Sequence, residues 1–211
     1  MIISHQHRFI FFAIPKTGTH SVRRALRLHL GPQDLEQVGL FVEKRFPFPE
    51  FAGIQHGHIS AREIRPVLGD QAFRSYFKFA FVRNPFDRFV SYCAFMGREG
   101  GAFEAAPRDF MKQVAADPGT LDHLLFRPQH EFITDENGRL ALDYMGRTED
   151  VQGSFEAICR KLKLPASSVG RVNSSRHRPY AEYYDDALAG TVREIYRRDF
   201  ELFAYDDKSP T

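Results

Sequence analysis

Residues 9–21 read Phe9-Ile10-Phe11-Phe12-Ala13-Ile14-Pro15-Lys16-Thr17-Gly18-Thr19-His20-Ser21. The first six are apolar without alternation, the pattern of a central parallel strand covered on both faces. Pro15 to Gly18 breaks that run. From Thr19 onward the apolar positions Val22, Ala25, Leu26 and Leu30 keep helical spacing, and Gly31-Pro32 predicts the stop. The unit is strand, tight loop, helix.

A second copy of this grammar follows. Tyr76-Phe77-Lys78-Phe79-Ala80-Phe81-Val82 predicts another apolar strand with Arg83 at its carboxyl end. Asn84 suits an N-cap and Pro85 the first helical position. Phe86, Phe89, Val90, Cys93 and Ala94 then form one helical stripe. Between the two units the chain is irregular around Phe46-Pro47-Phe48-Pro49, with a short helix expected over Ser60 to Val67. Further on, helices are expected over Arg108 to Ala116 and Thr120 to Phe126. Paired strands, Phe132 to Thr134 and Leu140 to Met145, are expected around the turn Asp135 to Gly138. Val151, Phe155, Ile158 and Leu162 mark a helix that stops near Pro165. A polar loop, Asn173 to Pro179, precedes a last helix carrying Leu188, Val192 and Ile195. No repeat, long linker or low-complexity tract interrupts the chain, so residues 1–211 are read as a single domain of α/β class, with a central, mainly parallel sheet flanked by helices.

Composition narrows the function. The chain has 211 residues and a formal net charge of +2, which does not call for a nucleic-acid partner. Basic residues nevertheless cluster at Arg23 to Arg27, Arg83 to Arg88 and Arg171 to Arg178, and two of these clusters flank turns punctuated by glycine or proline. Cys93 and Cys159 are the only cysteines, both in apolar stretches, and read as buried thiols in a reducing compartment. No apolar run approaches the ~18 residues of a membrane span. The first strand begins too early to leave room for a signal peptide, so a cytoplasmic protein is expected. Oligomeric state is not legible.

The chemistry begins at Pro15 to Ser21. A helix N-terminus presents unpaired backbone N–H groups and the positive end of the dipole, and Gly18 lets an anion approach the backbone closely. Lys16 adds a mobile charge; Thr17, Thr19 and Ser21 add hydroxyls. The stretch lacks the full spacing of a nucleoside-triphosphate P-loop, and its bland alternative is a turn whose hydroxyls only cap a helix. Arg83, at a strand end, and Ser91, within the following helix, offer a guanidinium and a hydroxyl at the carboxyl edge of the sheet, where ligands of open α/β folds gather. Read alone, Arg83 could simply pair with Asp87, and Ser91 could bond back to its own helix. Two anion sites in one small sheet suit a ligand with two phosphate-type groups.

Pro15 to Ser21 and Arg83-Asn84-Pro85-Phe86-Asp87-Arg88-Phe89-Val90-Ser91 resemble the two nucleotide signatures of sulfotransferases that use 3'-phosphoadenosine-5'-phosphosulfate (PAPS). The order and spacing look most like the group containing carbohydrate 2-O-sulfotransferases and their bacterial relatives. The similarity continues through Tyr144 to Glu149 and Asn173 to Tyr184. The resemblance implies a P-loop nucleotide-kinase-like fold and PAPS as sulfuryl donor, without a metal. By position, Lys16, Thr17, Gly18, Thr19, His20 and Ser21 would hold the 5'-phosphosulfate, and Arg83 with Ser91 the 3'-phosphate. Ser174 and Arg176 would lie in the loop that closes over the nucleotide. His20 departs from the Thr or Ser that relatives often carry, so its contact there rests on the backbone N–H.

His56-Gly57-His58 is the third element. An attacking alcohol must lose its proton, and histidine accepts one near neutral pH. Histidines two apart on extended chain point the same way. Metal ligation and an idle loop pair are the rival readings. The triplet resembles the H-G-H element of the 2-O-sulfotransferase-like group, which implies His58 and His56 as the catalytic pair, with Lys16 stabilising the leaving group. The expected activity is sulfuryl transfer to a small-molecule or carbohydrate hydroxyl. Its competitors are a kinase using ATP and magnesium, which Arg83 and Ser91 disfavour, and a non-catalytic nucleotide-binding module, which would have no use for a base. Glu63 is a reserve candidate for the base, although Arg62 and Arg65 beside it suggest an ion pair. His5, His7 and His29 read as solvated.

Overall fold

The computed structural model describes residues 1–37, 46–165, 167–170 and 178–210. In chain order the elements are β1 (Ile2–Ser4), β2 (Phe9–Phe12), α1 (Thr19–Arg27), β3 (Leu35–Glu36), α2 (Ala61–Leu68), α3 (Asp70–Ser75), β4 (Phe77–Val82), α4 (Pro85–Met96), α5 (Ala102–Ala105), α6 (Pro107–Ala116), α7 (Pro118–Leu121), β5 (Tyr144–Arg147), α8 (Val151–Leu162), α9 (Asp186–Ile195) and α10 (Arg197–Phe203). They form two compact units, Met1–Val82 with Glu131–Asn173 and Arg83–His130 with Ser174–Thr211.

The first unit holds the whole five-stranded sheet, in the order β3-β1-β2-β4-β5. β2, β4 and β5 run parallel, whereas β1 is antiparallel to both β2 and β3. The sheet is therefore mixed: the expectation of a mainly parallel sheet holds for three strands and fails at the other edge. The reason is local. Ile2 to Ser4 is a short buried strand, and the chain reverses over His5 to Arg8 to pair Ile2 with Phe11. An apolar tripeptide gives little periodicity from which to read a strand.

Alternate residues of the parallel strands face one helical layer. Phe9, Phe11, Phe79 and Phe81 pack with Val22, Ala25 and Leu26 of α1 and with Phe155, Ile158 and Cys159 of α8. The register sets Phe9 beside Phe77 and Phe11 beside Phe79, and the Phe11 and Phe79 rings stack at 5.4 Å. Each such buried phenylalanine contributes on the order of 2 kcal/mol relative to exposure. Because the three strands are parallel, their carboxyl ends lie at one edge of the sheet. Residues 13–18 leave β2 there, and Thr148 follows β5 there, its hydroxyl donating to Val82 O at 3.2 Å.

The expected hairpin at Asp135 to Gly138 is reduced to a tight turn with a single bridge, Thr134 to Leu140. Tyr144 to Arg147 pairs instead with β4, satisfying backbone groups of that strand that would otherwise lack a partner. The helix expected from Ser60 is α2, opened by a capping box: Ser60 Oγ accepts from Glu63 N at 3.3 Å, and Glu63 Oε2 accepts from Ser60 N at 2.7 Å.

The second unit is helical. Its core joins Phe86, Phe89, Val90 and Cys93 of α4 to Phe126 and to Leu188, Val192, Tyr196 and Phe200. Asn84 caps α4, its side chain accepting from Phe86 N at 2.9 Å, and Pro85 occupies the first turn. The helix expected over Thr120 to Phe126 is only the single turn α7. The last helix is divided at Tyr196, whose hydroxyl donates to Phe126 O at 2.8 Å. Tyr183, Tyr184 and Phe203 are buried, and Cys93 and Cys159 are buried free thiols. Among the described residues no helix is long and apolar enough to cross a membrane.

Candidate active site

The loop after β2 carries two residues in the left-handed region, Lys16 at φ 66° and Gly18 at φ 70°. Glycine accepts this conformation freely; lysine does not, at roughly 1–2 kcal/mol. A non-glycine residue held there is a strained position, of the kind that gathers at ligand clamps. Gly18 is the N-cap of α1 and supplies no side-chain cap, and no acidic residue lies in the first turn. Ser21 N and Val22 N donate to Gly18 O, at 3.1 and 3.5 Å. Helix geometry leaves the earlier N–H groups without intrahelical acceptors, so this terminus presents donors and a positive dipole end.

Thr17 is fully buried and its hydroxyl donates to Ile14 O at 3.0 Å. That hydroxyl closes the turn, leaving the Thr17 backbone as its contribution to the cradle. Thr19 and Ser21 are buried, while Gly18 and His20 are exposed. Although the residue is exposed, partial desolvation of its ring, then Arg23, Lys16 and Arg27, hold the His20 imidazole below its ordinary pKa. Thr148, to which sequence reasoning gave no role, lies beside the loop: its Cγ2 is 3.9 Å from where a Cβ on Gly18 would sit.

The histidine triplet belongs to the same unit and reaches the end of the same strand. His58 Nδ1 lies 2.6 Å from the carbonyl oxygen of Ala13, two residues before Pro15. A carbonyl only accepts, so Nδ1 carries the proton and Nε2 of the neutral ring carries the lone pair. His56 has the opposite arrangement. Its Nδ1 accepts from the His58 backbone N–H at 3.3 Å, so the proton of its neutral ring is on Nε2. The two rings are near parallel, with centroids 6.2 Å apart. Burial pulls the His58 pKa down to about 3; the Ala13 bond opposes this, and Arg23 and His56 add to it.

Gly57 is needed between them. A Cβ there would fall 2.0 Å from Gln37 O and 2.5 Å from Arg23 Nη2, so any other residue displaces backbone. Arg23 is 3% exposed, donates to Gln37 O at 3.3 Å, and is pulled from the usual arginine pKa to about 10 by burial, with Glu36 opposing. Arg23, which the sequence places in a basic cluster, is an internal support. Glu63 is likewise withdrawn as a base, since it closes the α2 capping box, while Arg62 bonds Thr134 and Asp135, and Arg65 pairs with Asp70. His5 and His7 are engaged rather than merely solvated, with Tyr76 OH for the one and Gln6 and the His29 carbonyl for the other, whereas His29 Nε2 is buried without a hydrogen-bond partner.

In the second unit Arg83 makes the i, i+4 pair with Asp87, Nε to Oδ2 at 2.7 Å. Its backbone is held by the carboxamide of Gln129, which accepts from Arg83 N and donates to Arg83 O, both at 2.9 Å. Gln129 is anchored in turn by Asp199, which is fully buried and accepts from Gln129 N at 2.8 Å. No local pattern marks this support, since Gln129 and Asp199 are 70 residues apart. Ser91 is 3% exposed in α4. Arg88, in the same basic cluster, is 1% exposed and donates to Leu125 O and Arg127 O, so its role is structural. Ser174 and Arg176 lie outside the described residues.

Comparison with known proteins gives this geometry its family. Residues 1–206 match the profile of the Sulfotransferase family. The chain belongs to that family. Within it, the chain is 22% identical to carbohydrate sulfotransferase 14 of Homo sapiens over 236 aligned positions, covering 97% of this chain and 60% of that protein. It is also 29% identical over 114 residues to an uncharacterized protein of Archaeoglobus fulgidus, covering 53% of this chain and 88% of the other. The sulfotransferase chain thus spans about 60% of the length of its carbohydrate sulfotransferase relative. No solved structure matches it.

Proposed function

We propose that residues 1–211 act as one catalytic domain of P-loop-like fold that transfers the sulfuryl group of PAPS to an acceptor hydroxyl, the acceptor being a carbohydrate. The observation that carries this reading is the His58 tautomer: a neutral imidazole with its lone pair on Nε2, fixed to the strand that leads into the cradle. Family membership supports the reaction class, and the name of the human relative supports the acceptor class.

PAPS supplies an activated S–O bond to its 5'-phosphate. The residues present suit it: an uncapped helix N-terminus without acidic neighbours and a lysine at the turn. His58 Nε2 takes the acceptor proton while the acceptor oxygen bonds sulfur and the sulfur–phosphate oxygen bond breaks. The electron pair of that bond stays on the phosphate oxygen, where Lys16 stabilises it. His56, with N–H on Nε2, donates a hydrogen bond to the acceptor. Negative charge brought close to His58 raises its proton affinity from its resting value. Arg83 and Ser91 bind the 3'-phosphate, a group that ATP and AMP lack.

Calorimetry and turnover test this. Adenosine 3',5'-bisphosphate is expected to bind clearly more tightly than AMP or ATP, and a panel of hydroxyl acceptors with labelled PAPS is expected to yield a sulfated carbohydrate. Binding no tighter than that of AMP would remove the 3'-phosphate site and, with it, the choice of donor.

A further inference from the structure

We propose that Gln37 is a positioning residue for the histidine loop, fixing the backbone of residues 54–57 and thereby the hydrogen bonds that set the tautomers of His56 and His58. Its kinetic consequence rests on the sulfuryl-transfer reading; its structural consequence does not.

Gln37 is 2% exposed and directly follows β3, the strand paired to β1. The two N–H groups of its carboxamide have two acceptors, Ile54 O at 2.9 Å and His56 O at 3.2 Å. Its Oε1 accepts from Phe46 N at 3.3 Å. A primary amide has two donors, and both are committed to carbonyls two residues apart on one loop. The side chain therefore acts as a detached piece of strand edge for Ile54 to His56. Its backbone reaches the next residue through Met1. Gln37 O accepts from Met1 N at 3.0 Å and from Arg23 Nη2, and the Met1 nitrogen also donates to Gly57 O.

His56 is thus held directly by Gln37, and Gly57 by the Met1 nitrogen that Gln37 O also engages. The geometry downstream depends on that hold. His58 N reaches His56 Nδ1 only while the intervening peptide keeps its orientation, and His58 Nδ1 reaches Ala13 O from the same backbone. Little nearby would replace Gln37. Arg23 Nε and Glu36 Oε1, 4.0 Å apart, are both buried without hydrogen-bond partners, so this cluster carries unsatisfied groups already. Removing the carboxamide would also leave the half-buried Ile54 O and His56 O without their Gln37 donor.

The test compares wild type with Gln37→Ala and the near-isosteric Gln37→Glu, whose oxygens would face the two carbonyls. Long-range proton–nitrogen NMR on histidine-labelled protein reads the tautomers directly. Wild type is expected to show Nδ1–H at His58 and Nε2–H at His56, and the variants a mixture at both. Turnover at saturating donor is expected to fall ~100-fold, as for a catalytic group displaced by about 1 Å, while the dissociation constant of adenosine 3',5'-bisphosphate changes by less than about twofold. Folded variants that keep wild-type tautomers and turnover overturn the proposal. Should wild type transfer no sulfuryl group, the functional reading fails, and the tautomer comparison still judges Gln37. Should neither variant fold, hydrogen exchange of the wild-type Gln37 carboxamide decides: protected protons support the assignment, and exchange at the rate of a free amide overturns it.

Discussion

His58 Nδ1 donates to the carbonyl oxygen of Ala13 at 2.6 Å, and this bond joins the histidine loop to the strand that ends in the anion cradle. Strand β2 is central in the sheet and paired on both sides, so Ala13, directly after it, is a firmly held acceptor. The imidazole is thereby held in one tautomer with Nε2 as its basic atom. Two adjacent histidines that look equivalent in sequence become chemically distinct, because each uses Nδ1 in the opposite sense.

That distinction ranks their variants. His58→Ala should lower turnover by ~100- to 10,000-fold, the usual contribution of a general base, while adenosine 3',5'-bisphosphate binding persists. His56→Ala removes a hydrogen-bond donor and should be milder. The check is turnover of both variants with one accepted substrate, together with thermal melts. Equal, near-wild-type rates would move the base elsewhere.

The same burial predicts a pH signature. In the unfolded chain His58 takes up a proton near 6.5, whereas in the folded chain it stays neutral down to about 3. Between those values protons favour the unfolded state. The contribution is therefore complete above about pH 6.5 and is lost as pH falls toward 3; the lowered pKa of His20 acts in the same direction. His58→Asn keeps an N–H near the Nδ1 position but does not titrate. Its melting temperature should decline less steeply than that of wild type on acidification from pH 7. Parallel declines would contradict the stated protonation of His58.

Much of this site was legible because its signals are local. Residues 9–21 announce strand, turn and helix through unbroken apolarity, Pro15 and Gly18, and Asn84-Pro85 announces a helix start. His56-Gly57-His58 was legible as chemistry but not as two different tautomers, which depend on Ala13, 45 residues away from His58. Gln37, Arg23, Gln129 and Asp199 were not legible at all. Each serves by satisfying carbonyls or amides distant in sequence, and a buried amide or guanidinium leaves no periodic trace. The β1 edge was missed for a related reason: three apolar residues fix no period, and their pairing is settled by the register with β2.

Arg83 carries the next expectation. Its backbone is clamped by Gln129 and its Nε is paired with Asp87, so the side chain is already oriented without ligand. Arg83→Ala should weaken adenosine 3',5'-bisphosphate binding by about 2 kcal/mol, as for one charge-assisted hydrogen-bonded contact, and leave AMP binding nearly unchanged. Calorimetry with both nucleotides reads the difference. Equal losses for the two would place Arg83 away from the 3'-phosphate.

Lys16 allows function and strain to be separated at one position. Its φ of 66° is unfavourable for any residue with a Cβ, and glycine removes that cost while loosening the unfolded chain. Lys16→Gly should therefore be more stable than Lys16→Ala by roughly 0.5–1 kcal/mol, the difference between relieved strain and added entropy. Both variants lose the charge proposed to stabilise the departing phosphate oxygen. Turnover at saturating donor should fall in both, and by more than donor affinity does, because that charge matters most as the S–O bond breaks. Chemical denaturation and single-turnover kinetics on the two variants provide the comparison. A glycine variant that is stabilised yet inactive means the strain is retained for the lysine. Unchanged turnover in both would leave Lys16 only a ground-state contact and would shift leaving-group stabilisation to the α1 N-terminus.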